Sequence, residues 1–309
     1  MTAAGHAESR VRSVSRRFDE RFLRKLESLV IAIRRLAAGQ MRGSRRSRRV
    51  GAGIEFADHR DYVAGDDLRY LDWNLYGRLE RLALRVYEED EDLSIDVLVD
   101  ASGSMAHGGP DAGKLDLALQ VGAALGYVGL ANLDQVAVTP LGEGAPPALP
   151  PARGKARILP ILRQLDEVRP TGKTALAAGV RALLGRRRRA RRGLVILISD
   201  FYDPDGYRPA LDLLRHHKRE VAAIQVSAPE ELAPRLRGDV RLRDVETGEA
   251  RDLTISPAVL AAYTARREAL VRGLEGYCRE RGVPCFAVVS DEPFDAVVLR
   301  MFRAGGLLR

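Results

Sequence analysis

The sequence predicts an α/β protein: a doubly wound, mostly parallel sheet flanked by helices, with an N-terminal helical and strand extension. Three observations predict it. Short apolar runs at 95–99, 194–199, 221–226 and 284–289 alternate with longer stretches of helical spacing. The first run lies in LSIDVLVDASGSM, Leu93–Met105, where a strand-like segment meets a small polar turn and then helix-like sequence from about Lys114. Carboxylates close two of the runs, at Asp100 and Asp200. Open α/β sheets place ligand sites just there, outside the carboxyl ends of strands.

The chain has 309 residues, 46% hydrophobic and 30% charged, with a formal net charge of +8. That is an ordinary globular composition with room for a sizeable core. The charge is uneven: residues 1–53 hold 14 Lys and Arg against 4 Asp and Glu, and the remainder holds 36 against 38. The basicity belongs to the N-terminal arm, which argues against nucleic-acid binding by the body as a whole. The two cysteines, Cys278 and Cys285, offer neither a disulfide framework nor a metal spacing and suit a reducing compartment. No apolar stretch reaches the roughly 18 residues of a membrane span, and the N-terminus lacks an apolar signal core. A cytoplasmic location is expected.

Three segments follow in order: a basic arm over 1–53, an acidic and aromatic block over 54–92, and the α/β domain over 93–309. Residues 1–15 read as disordered. Phe18, Phe22, Leu26, Leu29, Val30, Ile33 and Leu36 recur at helical spacing among arginines. A helix packed on its own body explains them better than one lying on acidic lipid or gripping a partner. Residues 39–53 read as a flexible basic linker with no aromatics for stacking nucleotides. In the block, Asp66 or Asp67 can cap a short helix over 68–75, and Leu82, Leu84 and Val86 alternate as in a strand. Asp58, His59, Asp61, Asp66, Asp67 and Asp72 invite an acid/base or metal reading. They alternate with Arg60, Arg69, Arg78, Arg81 and Arg85, so charge-paired loops are the simpler account.

In the body, helices are expected over 114–130, 156–168, 175–184, 207–217, 257–281 and 294–302. Strands are expected around Val136 and Val138, at 194–199, at 221–226 and at 284–289. Residues 240–254 read as a hairpin turning at Glu246-Thr247-Gly248-Glu249. Gly122, Gly126 and Gly129 imply a helix packed closely on the sheet. Arg186–Arg192, RRRRARR, reads as a solvated surface turn.

Asp100, Ser102 and Ser104 stand on one strand-end loop, Thr174 on a loop before a helix, and Asp200 at the end of another strand. Neighbouring parallel strands bring their carboxyl ends to one edge, so all five can converge. Three hydroxyls and two carboxylates are hard oxygen donors of the kind Mg2+ or Mn2+ takes, with positions left for water or a partner. This ordered set resembles the metal-ion-dependent adhesion site of von Willebrand factor A-type domains. The resemblance implies that the serines and the threonine contact the ion, the aspartates act directly or through water, and a partner's Glu or Asp completes the shell. Phe201 departs from the pattern, since many of these domains have Gly after the second aspartate, and Asp96 puts a charge inside an apolar strand.

Glu55-Phe56-x-Asp58-x-Arg60-x-Tyr62-x-x-Gly65-Asp66-Asp67-x-Arg69-x-x-Asp72-Trp73 is similar to the domain of unknown function 58 family, as are Pro229–Leu232 and Gly238–Leu242. That resemblance implies a non-enzymatic adaptor working with a MoxR-type AAA+ ATPase in assembling or activating other proteins, with no small-molecule substrate. Two alternatives stay open: a hydrolase using the metal or the Asp58–Asp72 acids, and a nucleic-acid or membrane-surface protein using the basic arm. Gly172-Lys173-Thr174 is no phosphate-binding loop, because Glu167 stands where that motif needs Gly. Of the five histidines only His107 is near the serine loop, where a solvated loop residue is a simpler reading than a general base.

Overall fold

The computed structural model describes residues 17–40, 47–50, 55–89, 94–108, 113–186 and 193–305. The chain divides into two compact units, residues 1–36 with 93–309, and residues 37–92. Its elements run α1 (Glu20–Gln40), β1 (Ser47–Val50), β2 (Glu55–Asp61), α2 (Trp73–Leu79), β3 (Ala83–Glu89), β4 (Ser94–Asp100), α3 (Lys114–Ala131), β5 (Gln135–Leu141), α4 (Ile158–Asp166), α5 (Leu176–Arg186) and β6 (Leu194–Ser199). They continue with α6 (Arg208–His216), β7 (Glu220–Ser227), α7 (Pro229–Leu232), β8 (Gly238–Arg243), β9 (Ala250–Ile255), α8 (Pro257–Glu280), β10 (Cys285–Val289) and α9 (Phe294–Arg303).

The larger unit is built on a five-stranded sheet in the order β10-β7-β6-β4-β5, every pair parallel. Side chains alternate across it with period two. Ile95, Val97, Val99, Ile196 and Ile198 enter one buried cluster with α1, α3, α4 and α9. Leu98, Val195, Leu197, Val221 and Ala223 enter a second with α5, α6 and α8. Apolar residues on both faces of β4 and β6 are what a doubly wound sheet requires, and this is the expected class.

Helix α1 belongs to this unit. Phe18, Phe22, Leu26, Leu29, Val30 and Ile33 are buried in the first cluster, each worth roughly 1.5–3 kcal/mol of burial. Phe22 meets Phe294 at a centroid distance of 4.6 Å, and Lys25 pairs with Asp295 at 2.8 Å. The apolar stripe thus faces the protein's own body. Residues 17–36 of the expected basic arm therefore group with the larger unit.

The three helical glycines of α3 lie against the sheet. A Cβ on Gly122 would come within 2.9 Å of Val99, on Gly126 within 2.8 Å of Val138, and on Gly129 within 2.8 Å of Ile95. Gly126→Val is expected to lower stability by about 1–3 kcal/mol through overpacking, read as a lower urea midpoint at unchanged slope.

The smaller unit is an antiparallel sheet, β1-β3-β2. Two expectations fail here. Ser47–Val50, read as linker, is a strand whose register sets Arg48 opposite Glu88. The helix expected over 68–75 is broken: a 3-10 turn at Leu68–Tyr70 ends where buried Leu71 bridges to Leu84. Asp72 then starts α2 afresh, accepting from the backbone N–H of Asn74 and Leu75 at 3.0 and 3.1 Å. The basic run 187–192, residues 1–16 and residues 41–46 and 51–53 of the expected linker lie outside the described residues.

Candidate functional site

The chain leaves β4 for β5 on one side and returns through α4 and α5 to β6 on the other. The strand order therefore reverses between β4 and β6, and a crevice opens outside their carboxyl ends. Backbone hydrogen bonds knit the loops around it. Ala101 N–H donates to Leu141 O at 2.7 Å, Thr171 N–H to Ala101 O at 2.9 Å, and Gly103 N–H to Gly172 O at 2.9 Å.

These bonds bring the loop after β4 to the loop before α5. Ser102 Oγ lies 3.1 Å from Ser104 Oγ and 2.9 Å from Thr174 Oγ1. Ser102 and Thr174 are buried and Ser104 is half-buried. Octahedral oxygens at 2.0–2.1 Å from Mg2+ lie about 3 Å from one another, so both spacings fit the edges of such a shell. Among the described residues no group of three or more His, Cys, Asp or Glu is placed to hold a metal ion. Any cation held here would depend on the hydroxyls.

The two aspartates flank this cup. Asp100 Oδ1 accepts from Ser102 N–H at 2.9 Å and its Oδ2 from Ser199 Oγ at 2.5 Å. Burial, and then the charge of Asp200, push the Asp100 carboxyl up to about 6, against the pull of those hydrogen bonds. Asp200 Oδ1 accepts from Tyr202 N–H at 3.1 Å. Its Oδ2 accepts from Lys114 Nζ at 2.7 Å, and the same ammonium donates to Glu231 Oε1 at 2.6 Å. Both oxygens of Asp200 are thus engaged inside the chain. Burial pulls the Lys114 ammonium down, but the two carboxylates outweigh it and hold the group above its ordinary value.

A further carboxylate reaches the cup from the β8–β9 hairpin. Thr174 Oγ1 donates to Glu246 Oε1 at 2.6 Å, and Thr174 N–H to Glu246 Oε2 at 3.3 Å. The hairpin tip is shaped by Asp244, whose Oδ1 accepts from the N–H of Glu246 and Thr247 at 2.8 and 2.9 Å. Gly103 lets this tip approach, since a Cβ there would lie 2.9 Å from Val245 O.

All five residues singled out in the sequence lie around this crevice, with Ser104 and Thr174 each in reach of Ser102 and Asp200 turned to Lys114. Sequence reasoning missed Lys114, Glu231 and Glu246. A signal existed for Lys114: a cation in the first turn of an apolar helix opposes the helix dipole and calls for carboxylate partners. Phe201, in the place of the usual Gly, takes the left-handed conformation Gly would supply, with φ 61°. Its ring is fully buried and packs edge-on to Tyr207, which compensates the backbone cost.

The acids of the smaller unit are taken up structurally. Asp66 pairs with Arg60 at 2.8 Å, Asp67 with Arg69 at 2.6 Å, Asp61 with Arg81 at 2.7 Å and Asp72 with His59 at 2.9 Å. The Arg81 partner holds Asp61 below its usual range, and the Val63 N–H with Arg60 does the same for Asp66. The side chain of Asp58 lies outside the described residues. No histidine hydrogen-bonds a hydroxyl of the cup among the described residues. No helix among them is long and apolar enough to cross a membrane.

Comparison with known proteins gives relatives that match most or part of this chain. The uncharacterized protein Rv1480 of Mycobacterium tuberculosis is 29% identical over 290 residues, covering 91% of this chain and 89% of that one. The uncharacterized protein MAV169 of Mycobacterium avium is 30% identical over 129 residues, covering 42% of this chain and 75% of that one. Among solved structures, the conserved hypothetical protein BatB of Bacteroides thetaiotaomicron is 13% identical with a TM-score of 0.41, covering 69% of this chain and 98% of that one. The SpRpn10 VWA domain is 9% identical with a TM-score of 0.40, covering 67% and 93%. The family described as "Protein of unknown function DUF58" matches residues 58–270, more than half of the sequence. The chain belongs to the DUF58 family.

Proposed function

We propose that this protein is a metal-ion-dependent, non-catalytic adaptor that binds other proteins. One observation carries the reading: three hydroxyl oxygens from two loops meet at the sheet's switch point, at the 2.9 and 3.1 Å spacings of a small divalent ion's shell. Ser102, Ser104 and Thr174 would hold Mg2+ or Mn2+ directly, with Asp100 and Asp200 behind them. The ion would supply an electrophilic position for a partner's Glu or Asp. A cup of neutral hydroxyls withdraws little charge from the ion, which favours an outside carboxylate.

The partner class comes from the family resemblance: a MoxR-type AAA+ ATPase, the pair acting in the cytoplasm on the assembly or activation of other proteins. The alternatives have less support. The Asp61–Asp72 carboxylates are engaged in capping and ion pairs, and the apolar stripe of α1 is buried.

The test is capture of a MoxR-type ATPase from the same source on immobilised protein, in Mg2+ or in chelator. Capture is expected in Mg2+ only, and it is expected to be lost in Ser104→Ala, a half-buried substitution that removes one hydroxyl. Capture that survives chelation or the Ser104→Ala change contradicts metal dependence. Absence of capture by the unaltered protein in Mg2+ contradicts the ATPase as partner.

A further inference from the structure

We infer that Glu246 is the site's own carboxylate ligand, occupying in cis the position that an acidic side chain of a partner would take. The inference rests on the reading of the hydroxyl cup as a cation site. Glu246 Oε1 accepts from Thr174 Oγ1 at 2.6 Å, while that same Thr174 oxygen lies 2.9 Å from Ser102 Oγ. The Glu246 carboxylate therefore stands on a hydroxyl of the cup. Asp100 also has a side-chain hydrogen bond with the cup, through Ser102, but it stands at the end of β4, whereas Glu246 reaches the cup from the hairpin.

The arrangement is built rather than incidental. Glu246 is the half-buried residue of a tip whose neighbours, Val245 and Thr247, are exposed. The tip is held in shape by Asp244 and seated on Gly103, where any larger residue would meet Val245 O. Among the described residues the strands behind it, β8 and β9, pair only with each other, and they are exposed along most of their length. Little apolar burial anchors them, so the hairpin can leave the site at low cost. A partner's acidic loop then competes with an internal copy of its own binding group. Partner affinity is lowered by the fraction of molecules in which Glu246 is seated.

Chemical rescue tests this with Mn2+ and acetate as probes. Mn2+ binding is titrated by electron paramagnetic resonance in the full chain, in Glu246→Ala and in Ser104→Ala, in chloride or in acetate at matched ionic strength. Glu246→Ala is expected to bind Mn2+ at least about tenfold more weakly in chloride, as for loss of a group that supports a metal ligand. Acetate is expected to restore that affinity by filling the vacated position, and to leave the unaltered protein unchanged. Hydrogen exchange over 238–255 is expected to rise in Glu246→Ala, an exposed-hairpin change that leaves the core intact. Equal Mn2+ affinity in Glu246→Ala and the unaltered protein overturns the inference. So does weakened binding that acetate fails to restore. Mn2+ binding that is unaffected by Ser104→Ala instead overturns the underlying reading of the cup, which separates the two failures.

Discussion

Lys114→Ala is expected to lose about 3–5 kcal/mol of stability, because it leaves two carboxylates in the interior without their cation. Lys114 and Asp200 are each 1% exposed at their side chains, and Glu231 is 10% exposed. The ammonium lies 2.7 Å from Asp200 and 2.6 Å from Glu231 and faces the Tyr202 ring at 5.2 Å. Lys114→Met keeps the stem and removes only the charge, and it is expected to fall in the same range. The combination Lys114→Met, Asp200→Asn, Glu231→Gln removes all three charges and is expected to recover much of the loss. Urea unfolding of the single and triple variants measures both. A single variant within 1 kcal/mol of the unaltered chain, as for a surface ion pair, contradicts a desolvated triad.

Thr174→Val is expected to remove most cation binding while leaving the fold in place. Valine has threonine's shape without its hydroxyl, and this hydroxyl contacts both Ser102 and Glu246. Affinity for Mn2+ is expected to fall by about 10–100-fold or more. The protein without metal is expected to lose about 1–3 kcal/mol, since Ser102 and Glu246 each lose a partner. Thr174→Ser restores the hydroxyl and is expected to keep most of the affinity. Isothermal titration with Mn2+ separates the three proteins. Equal binding by the Val and Ser variants contradicts a direct role for the hydroxyl.

Much of this architecture was legible because it is local. The apolar runs that became β4, β6 and β7 are buried on both faces, and such runs stand out against amphipathic helices. The strand ends then located Asp100 and Asp200, and the rule for open sheets located the crevice. What stayed hidden is held by long-range contacts. Lys114 meets Asp200 86 residues away and Glu231 117 away, and Glu246 meets Thr174 across 72. No periodicity records such pairings. The hairpin itself was readable, yet nothing in Glu246-Thr247-Gly248-Glu249 says where the tip lands. Strand β1 was missed for another reason: SRRV resembles the arginine-rich linker around it, and its pairing with β3, which the alternation of Leu82, Leu84 and Val86 did signal, makes it a strand.

The central claim is that one divalent cation sits among Ser102, Ser104 and Thr174. A crystal grown in Mn2+ and measured for anomalous scattering tests it most directly. A single strong anomalous peak within about 2.0–2.3 Å of those three hydroxyl oxygens is the predicted result. An anomalous map with the cup empty, or with manganese bound only at the surface acids, would contradict it.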